Sequence, residues 1–177
     1  MQFTNMIIPE VLNGYNVYDG DGDELIGITE DMSIAELASK VAIISGAGIP
    51  GSYEVPVLGH LEPITQELPF RLLYRPVLTM ANPLKPVRLN VRGAIQVTNK
   101  STQISDLAGF RYVVGGRCKN ISGGNLKPGD VMGSKISIAA TYVLFEIDGE
   151  KLIEVDKLNS IYRIDGVDLM ERVRRLC

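Results

Sequence analysis

Residues 134–156 read SKISIAATYVLFEIDGEKLIEVD, and this stretch decides the fold. Its first part, Ser134 to Ile147, has the pattern of a strand and is about twice the usual strand length of ~5–6 residues. The Asp148-Gly149 dipeptide that follows is a strong signal for a two-residue hairpin. The stretch therefore predicts a long strand that turns and pairs with a return strand from Lys151 to Val155.

The two faces of this long strand carry different residues along its length. On one face, alternate residues are apolar from Ile136 to Leu144. On the other face, polar residues give way in the second half to three apolar ones, which are Val143, Phe145 and Ile147. A strand with one face in water does not need apolar residues on both faces. The second half therefore predicts cover by a further element or by another subunit, and these three residues are candidate subunit contacts.

The end of the chain predicts a helix from Val167 to Leu176. Asp165 is its candidate N-cap, because an aspartate side chain accepts hydrogen bonds from the free N–H groups of the first turn. Asp168 and Glu171 would lie in that turn, where negative charge favours the helix dipole. The apolar residues at helical spacing form one stripe, which consists of Leu169, Val173, Leu176 and Cys177.

Eighteen glycines and nine prolines punctuate the chain between short apolar runs. Such punctuation is typical of a β-sandwich or barrel rather than of alternating strands and helices. The clearest strand upstream is Val87 to Arg92, which alternates strictly between apolar and polar residues. We therefore predict one mainly-β domain over residues 1–177. It is a small β-sandwich or barrel with a C-terminal α-helix and a long glycine-rich hairpin.

The composition is that of an ordinary globular protein, with 45% hydrophobic and 22% charged residues. The net charge is -3, so no basic surface for gripping nucleic acid is expected. Two cysteines, Cys118 and Cys177, are too few for a disulfide framework and indicate a reducing compartment. The start of the chain lacks the pattern of a signal peptide, and no apolar run approaches the ~18 residues of a membrane span. We expect no membrane anchor.

The segment Gly46 to Gly51 matches the G-x-G-x-x-G pattern of dinucleotide-binding proteins. That pattern needs a helix directly after the glycines, because the helix N-terminus binds the pyrophosphate. Here an extended segment from Ser52 to Val57 follows, interrupted by Pro56. The glycines therefore predict a hairpin loop rather than a dinucleotide site.

Four acidic residues match the ligand spacing of an EF-hand loop, which are Asp19, Asp21, Asp23 and Glu30. Glu24, however, stands where that loop requires glycine for its sharp turn. A hairpin turn explains the same residues. The alternative function that follows from the Asp19–Asp23 loop is a monomeric β-sandwich module that binds calcium or carbohydrate.

No residue pattern predicts catalysis. His60 is the only histidine, and no nucleophile lies in a recognisable elbow. Cys118 follows the strand alternation, which favours a packed and inert thiol. The chain has no Cys/His cluster for zinc. We therefore predict a protein that is not an enzyme and needs no cofactor and no metal.

A series of short motifs follows in order through the last third of the chain: Lys127-Pro128-Gly129-Asp130, Ser134-Lys135-Ile136, Thr141-Tyr142, Ile147-Asp148-Gly149, Glu154-Val155-Asp156, Asn159 and Asp165-Gly166-Val167-Asp168. In order and spacing they resemble the major tail tube protein of contractile phage tails and of phage-tail-like bacteriocins. Upstream, Asp19-Gly20 and the segment Gly46 to Glu62 are similar to that family's N-terminal hairpin and long hairpin. Where such proteins carry a central helix, this chain has Pro76, Pro83 and Pro86, which leaves open whether the helix is present.

The resemblance implies a structural subunit that assembles with itself into hexameric rings, which stack into a hollow inner tube. Such a tube carries DNA in a phage or punctures an envelope in a bacteriocin. The implied partners are the tail sheath, baseplate, tape-measure and tail terminator proteins, and transiting DNA in a phage. The implied location is the virion or a secreted tail-like particle, assembled in the bacterial cytoplasm. The hairpin from Gly46 to Glu62 would reach a neighbouring ring, with apolar contacts from Ile49, Val55 and Val57.

Overall fold

The structure, a computed structural model, describes residues 6–29 and 31–177. Most of these residues form antiparallel β-strands, as the sequence predicted. The elements in chain order are β1 (Ile7–Tyr18), β2 (Ser39–Gly46), β3 (Ile49–Leu61), β4 (Ile64–Phe70), α1 (Arg75–Met80), β5 (Pro86–Asn99), β6 (Ser105–Ser122), β7 (Ser134–Ile147), β8 (Glu150–Asp156), β9 (Ile161–Ile164), β10 (Val167–Asp168) and α2 (Glu171–Leu176). No helix in the described ranges is long and apolar enough to cross a membrane.

Strand β7 lies at the centre of the main, eight-stranded sheet. On one edge it pairs with β6 along nearly its whole length. On the other edge β4 pairs with its first half, from Ser134 to Ala140, and β8 pairs with its second half, from Tyr142 to Ile147. The sheet continues from β6 through β5 to β1, and from β8 through β9 to β10. The long strand predicted from the sequence is confirmed, and its length lets it join two sets of strands.

A β-bulge divides these two halves of β7. Gly116 of β6 lies opposite Ala140 and Gly115 lies opposite Tyr142, so Thr141 is an extra residue without a partner on β6. Because side chains alternate along a strand, one extra residue moves the following side chains to the other face. Before the bulge, Ile138 and Ala140 point into the core, and after it Val143 does so.

The bulge changes the interpretation of the apolar residues in the second half of β7. Val143 is 0% exposed and belongs to the core of the subunit itself. Phe145 and Ile147 follow on the same face and are half-buried. On the opposite face Leu144 is also buried, between Val113 of β6 and Glu154 of β8. Both faces are therefore covered at this point within one chain.

A buried glutamine fixes the irregular segment that leads into β2. Gln66 of β4 is 1% exposed, and its Oε1 accepts hydrogen bonds from the Ala35 N–H at 3.1 Å and the Tyr112 hydroxyl at 2.8 Å. Its Nε2 donates to the Ser33 carbonyl at 2.7 Å. Burial raises the pKa of Tyr112 to about 12, so its hydroxyl stays a donor. Satisfied buried polar groups of this kind hold a segment in one conformation.

The predicted start of the C-terminal helix is wrong. Asp165 and Gly166 have φ values of 50° and 76°, and they form the turn between β9 and β10. Left-handed φ at both central residues is what a type I′ hairpin turn requires, and Asp-Gly supplies it. Val167 therefore pairs with Ile164 as a strand. Asp165 is a turn residue and not an N-cap.

The helix that does form, α2, is six residues long and begins at Glu171. Asp168 accepts a hydrogen bond from the Met170 N–H at 3.0 Å, just before the helix. The predicted apolar stripe does not enter the core, because α2 has no buried side chain.

A central helix is present. Helix α1 spans Arg75–Met80 with Pro76 in its first turn, where the missing proline N–H would have had no helical partner. Val77 anchors α1 in the core and is fully buried. Proline therefore starts this helix instead of preventing it.

The bulge generates a first prediction, on Gly116. A Cβ at this position would overlap the backbone carbonyl of Ala139, which cannot move without breaking the sheet. We expect Gly116→Ala to lower the free energy of unfolding by more than about 2 kcal/mol in urea denaturation.

The matched control is Gly109→Ala on the same strand. A Cβ there would meet its nearest neighbour, the Asp148 carboxylate, at 3.7 Å, which is an ordinary contact. We expect a change within about 1 kcal/mol. Equal effects of the two substitutions would contradict the proposed role of Gly116.

Candidate assembly surface

Strands β2 and β3 form a two-stranded sheet of their own, separate from the main sheet. They are joined at Ala47-Gly48, with Gly46 paired to Ile49. Gly48 has a φ of 87°, which glycine adopts without strain. The glycine-rich hairpin is thus confirmed. A strand follows the glycines where a dinucleotide site needs a helix, so the geometry of such a site is absent from this segment.

This hairpin exposes large apolar side chains on both of its faces. Ile43 is 72% exposed, and Ile44 lies directly opposite Tyr53, which is also exposed. The other large apolar residues exposed on the hairpin are Val41 and Leu58. A two-stranded hairpin alone is marginally stable in water, and contiguous exposed apolar surface marks sites of protein association. We call residues 39–61 the assembly hairpin.

The residues predicted for this hairpin and for β7 lie in different surroundings. Ile49, Val55 and Val57 are half-buried on β3, and Val55 pairs with Ala42. In β7 the Phe145 ring packs against Tyr112 with ring centroids 4.8 Å apart. The two sets belong to different sheets.

The most exposed apolar residues of the hairpin are not among the contacts predicted from the sequence. The signal was present, because the run Val41-Ala42-Ile43-Ile44 is apolar without alternation. In a sheet covered on both faces such a run is buried. In a detached hairpin it leaves apolar side chains in solvent.

Three more exposed apolar residues lie in the C-terminal part of the chain. Leu158 is 79% exposed and Leu176 is 75% exposed, and Val167 between them in sequence is also exposed. Helix α2 is held mainly by polar contacts, since Arg174 pairs with Asp168 at 2.7 Å and donates to the Ser160 carbonyl.

Glu154 is the centre of a charged cluster beside α2. Its carboxylate accepts hydrogen bonds from Tyr142 at 3.1 Å and Arg163 at 2.9 Å, and it pairs with Lys151 at 3.5 Å. Burial raises the pKa of Glu154, but these hydrogen bonds and charges outweigh burial and lower it overall. Arg163 also reaches Asp168 at 3.6 Å, so the cluster ties β8, β9 and β10 together.

The Asp19–Asp23 loop uses its own carboxylate to form a turn. Asp19 Oδ1 accepts the Asp21 N–H at 3.0 Å and the Asp23 N–H at 2.9 Å. Such a side-chain bond to the following backbone is typical of aspartate in turns. Glu30, the fourth candidate ligand, lies outside the described residues. Within residues 6–29 and 31–177, no three His, Cys, Asp or Glu side chains are grouped to hold a metal ion.

The two candidate reactive side chains lie in different surroundings. His60 is exposed on β3. Cys118 is buried in the core, and its thiol donates to the Asn120 carbonyl at 3.6 Å. The predicted packed thiol is confirmed.

Known proteins match nearly the whole of this chain. The family model described as Phage tail tube protein FII matches residues 9–176. The chain is 28% identical over 175 residues to the tail tube protein of Escherichia phage P2, which covers 96% of this chain and 98% of that protein. The shared region therefore includes the assembly hairpin and the C-terminal strands.

The charged cluster generates a second prediction, on pH. Because the folded-state pKa of Glu154 lies below its ordinary value of 4.5, the ionised carboxylate stabilises the fold above that pH. This stabilisation is lost as the pH falls through the lowered pKa. We expect Glu154→Gln to cost about 1–3 kcal/mol at neutral pH, and the difference from the parent chain to shrink under acid conditions.

Thermal unfolding over a pH series measures this difference, with Glu150→Gln as the control. Glu150 is exposed on the same strand, and its substitution should change stability by less than about 0.5 kcal/mol at every pH. A difference for Glu154→Gln that does not depend on pH would contradict the assignment.

Proposed function

The chain belongs to the family of phage tail tube proteins FII, and from this premise we propose that it assembles into stacked hexameric rings that form the inner tube of a contractile tail. A phage tail tube protein is a structural component of the virion. The finer proposal concerns how copies of this chain meet, and what the tube does. In a phage the tube conducts DNA, and in a bacteriocin-like particle it punctures an envelope.

The observation that carries the proposal is the assembly hairpin. It leaves the main sheet as a separate two-stranded unit and holds exposed apolar side chains such as Ile43 and Tyr53 in solvent. Burying one large apolar side chain contributes about 1.5–3 kcal/mol. A hairpin that is marginal alone therefore gains most by packing against another copy. We propose that it contacts the next ring, with Ile49, Val55 and Val57 among its contacting residues.

The main sheet supports ring closure. Its edge strand β1 exposes apolar side chains at Ile8, Val11 and Leu12, and two register irregularities interrupt it. An open strand edge readily pairs with another chain, and closing copies into a ring removes the edge. For the second half of β7, the available contacts are Phe145 and Ile147, because Val143 is fully buried in its own subunit.

The tube also implies neighbours of other kinds. We propose that the outer wall of the tube meets the tail sheath, and that its ends meet the baseplate and the tail terminator. The tape-measure protein, and DNA in a phage, would occupy the lumen. A net charge of -3 fits a lumen that does not hold DNA tightly, since phosphate binding requires cationic contacts.

The first experiment removes the outer part of the assembly hairpin. Ala42 and Val55 are paired, so residues 43–54 can be replaced by the two-residue turn Asn-Gly without a change of register. We expect a soluble, folded subunit that does not polymerise, while the parent chain forms hollow tubes or rings in negative-stain electron microscopy. Normal tubes from the shortened chain would refute the role of the hairpin, and monodisperse monomers of the parent chain would refute assembly.

A point substitution tests the same contact more finely. Ile43→Ser should leave the free energy of unfolding within about 0.5 kcal/mol, because Ile43 is exposed in the free subunit. It should raise the concentration needed for tube formation about tenfold or more, since tenfold corresponds to ~1.4 kcal/mol of lost association energy.

The matched control is Leu126→Ser in the loop between β6 and β7. Leu126 is 87% exposed, so both substitutions remove a large apolar side chain from solvent. Sedimentation of tubes over a concentration series compares the two. Equal losses of assembly from both variants would argue against a specific contact through the hairpin.

A further inference from the structure

The base of the assembly hairpin is held by a lysine from the opposite end of the chain. Lys157 follows β8, and its Nζ donates to the Leu61 carbonyl at 3.1 Å and to the Glu62 carbonyl at 2.6 Å. These carbonyls lie where β3 ends and the chain enters the main sheet. Charged donors make the stronger class of hydrogen bond, so this contact restricts the direction of the hairpin at its root.

Lys157 is itself held rigidly. Its backbone N–H donates to the Thr141 carbonyl at 2.9 Å, which is the carbonyl of the bulge residue in β7. Beside it, Asp156 Oδ1 accepts the Leu158 N–H at 3.0 Å and the Asn159 N–H at 3.1 Å. Hydrogen bonds therefore fix this turn at the Lys157 N–H and at the N–H groups of the two residues that follow.

A second contact holds the hairpin root from the same end of the chain. Gly59 on β3 has a φ of 74°, and the thioether of Met170 fills the space that a Cβ would occupy there. Met170 is positioned by the hydrogen bond from its N–H to Asp168. The hairpin root is thus contacted at Gly59 by Met170, just before α2, and at Leu61 by Lys157, just after β8.

The groups around the Lys157 ammonium are consistent with a role in holding the hairpin root. Burial lowers the pKa of Lys157, and the nearby charge of Glu62 opposes this effect. The Glu62 N–H also donates to the Ala38 carbonyl at 2.9 Å, so both strands of the hairpin meet at this point. One side chain therefore reaches the place where the hairpin enters and leaves the subunit body.

We propose that Lys157 is a positioning residue for assembly, which sets the direction in which the β2–β3 hairpin projects from the subunit. The inference rests on the proposed function, in which this hairpin contacts the next ring. It adds that the hairpin direction is fixed by the bulge of β7, through the backbone of Lys157, and by Met170.

The test uses Lys157→Met in the full chain, because methionine keeps the aliphatic stem and removes the donors. Lys119→Met is the control, since Lys119 is exposed on β6 and carries the same charge. Lys40 in β2 offers a tryptic site that reports opening of the hairpin in the free subunit. We expect cleavage after Lys40 to accelerate about tenfold in Lys157→Met, with the midpoint of thermal unfolding little changed.

Tube formation is then measured for the same variants. We expect Lys157→Met to need about tenfold more protein for assembly, with Lys157→Arg restoring part of the loss and Lys119→Met behaving like the parent chain. Met170→Ala releases the hairpin root without touching Lys157 and should act in the same direction. If Lys157→Met does not fold, the assembly of Met170→Ala tests the positioning of the hairpin instead.

The outcomes separate the two proposals. A parent chain that forms no tubes refutes the proposed function. A parent chain that forms tubes, with Lys157→Met assembling equally well, refutes the positioning role. Lost assembly with unchanged cleavage after Lys40 also refutes it, because Lys157 would then act by touching the neighbouring copy.

Discussion

The bulge at Thr141 is the constraint on which the rest of the structure depends. A single long strand serves two sets of partners, β4 in its first half and β8 in its second half. The extra residue keeps apolar side chains directed into the core on both sides of the bulge. Gly116 permits the close approach of β6, and the backbone of Lys157 satisfies the Thr141 carbonyl. This hydrogen bond joins the bulge to the lysine turn.

The same geometry explains why the assembly hairpin lies outside the main sheet and still projects in one direction. In the main sheet β4 pairs with β7, whereas β2 and β3 pair with each other. Apolar residues on both hairpin faces would be a liability in a monomer and are an advantage in a polymer, where a second copy covers them. Contacts at the hairpin root supply the direction that the separate sheet lacks. In the proposed tube, packing against a second copy would stabilise this surface.

The sequence predicted the central elements because their signals are local. The limits of β7 and the Asp148-Gly149 turn follow from residue pattern and turn chemistry, and both are confirmed. The same chemistry operates at Asp165-Gly166, where Asp-Gly again forms a hairpin turn, so the predicted helix cap at Asp165 is wrong. Two predictions at the C-terminal end are wrong: the helix start at Val167 and the N-cap at Asp165. Both give the helical spacing of apolar residues more weight than the Asp-Gly turn.

Other features depended on tertiary context. The bulge at Thr141 is visible only when β6 and β7 are paired, so a strict period of two assigned Val143 to an outer face. The hydrogen bond from Lys157 to the Leu61 carbonyl joins residues far apart in sequence, and no short motif encodes it. Exposure of Ile43 likewise depends on tertiary context, because within the described residues β2 and β3 pair only with each other.

Hydrogen–deuterium exchange of assembled tubes and free subunits tests the central claim most directly. If the hairpin is the contact between rings, amides of residues 39–61 should be strongly protected in tubes and exchange quickly in free subunits. Core strands such as β6 and β7 should be protected in both. Equal exchange of the hairpin amides in the two states, with new protection confined to other segments, would contradict the account.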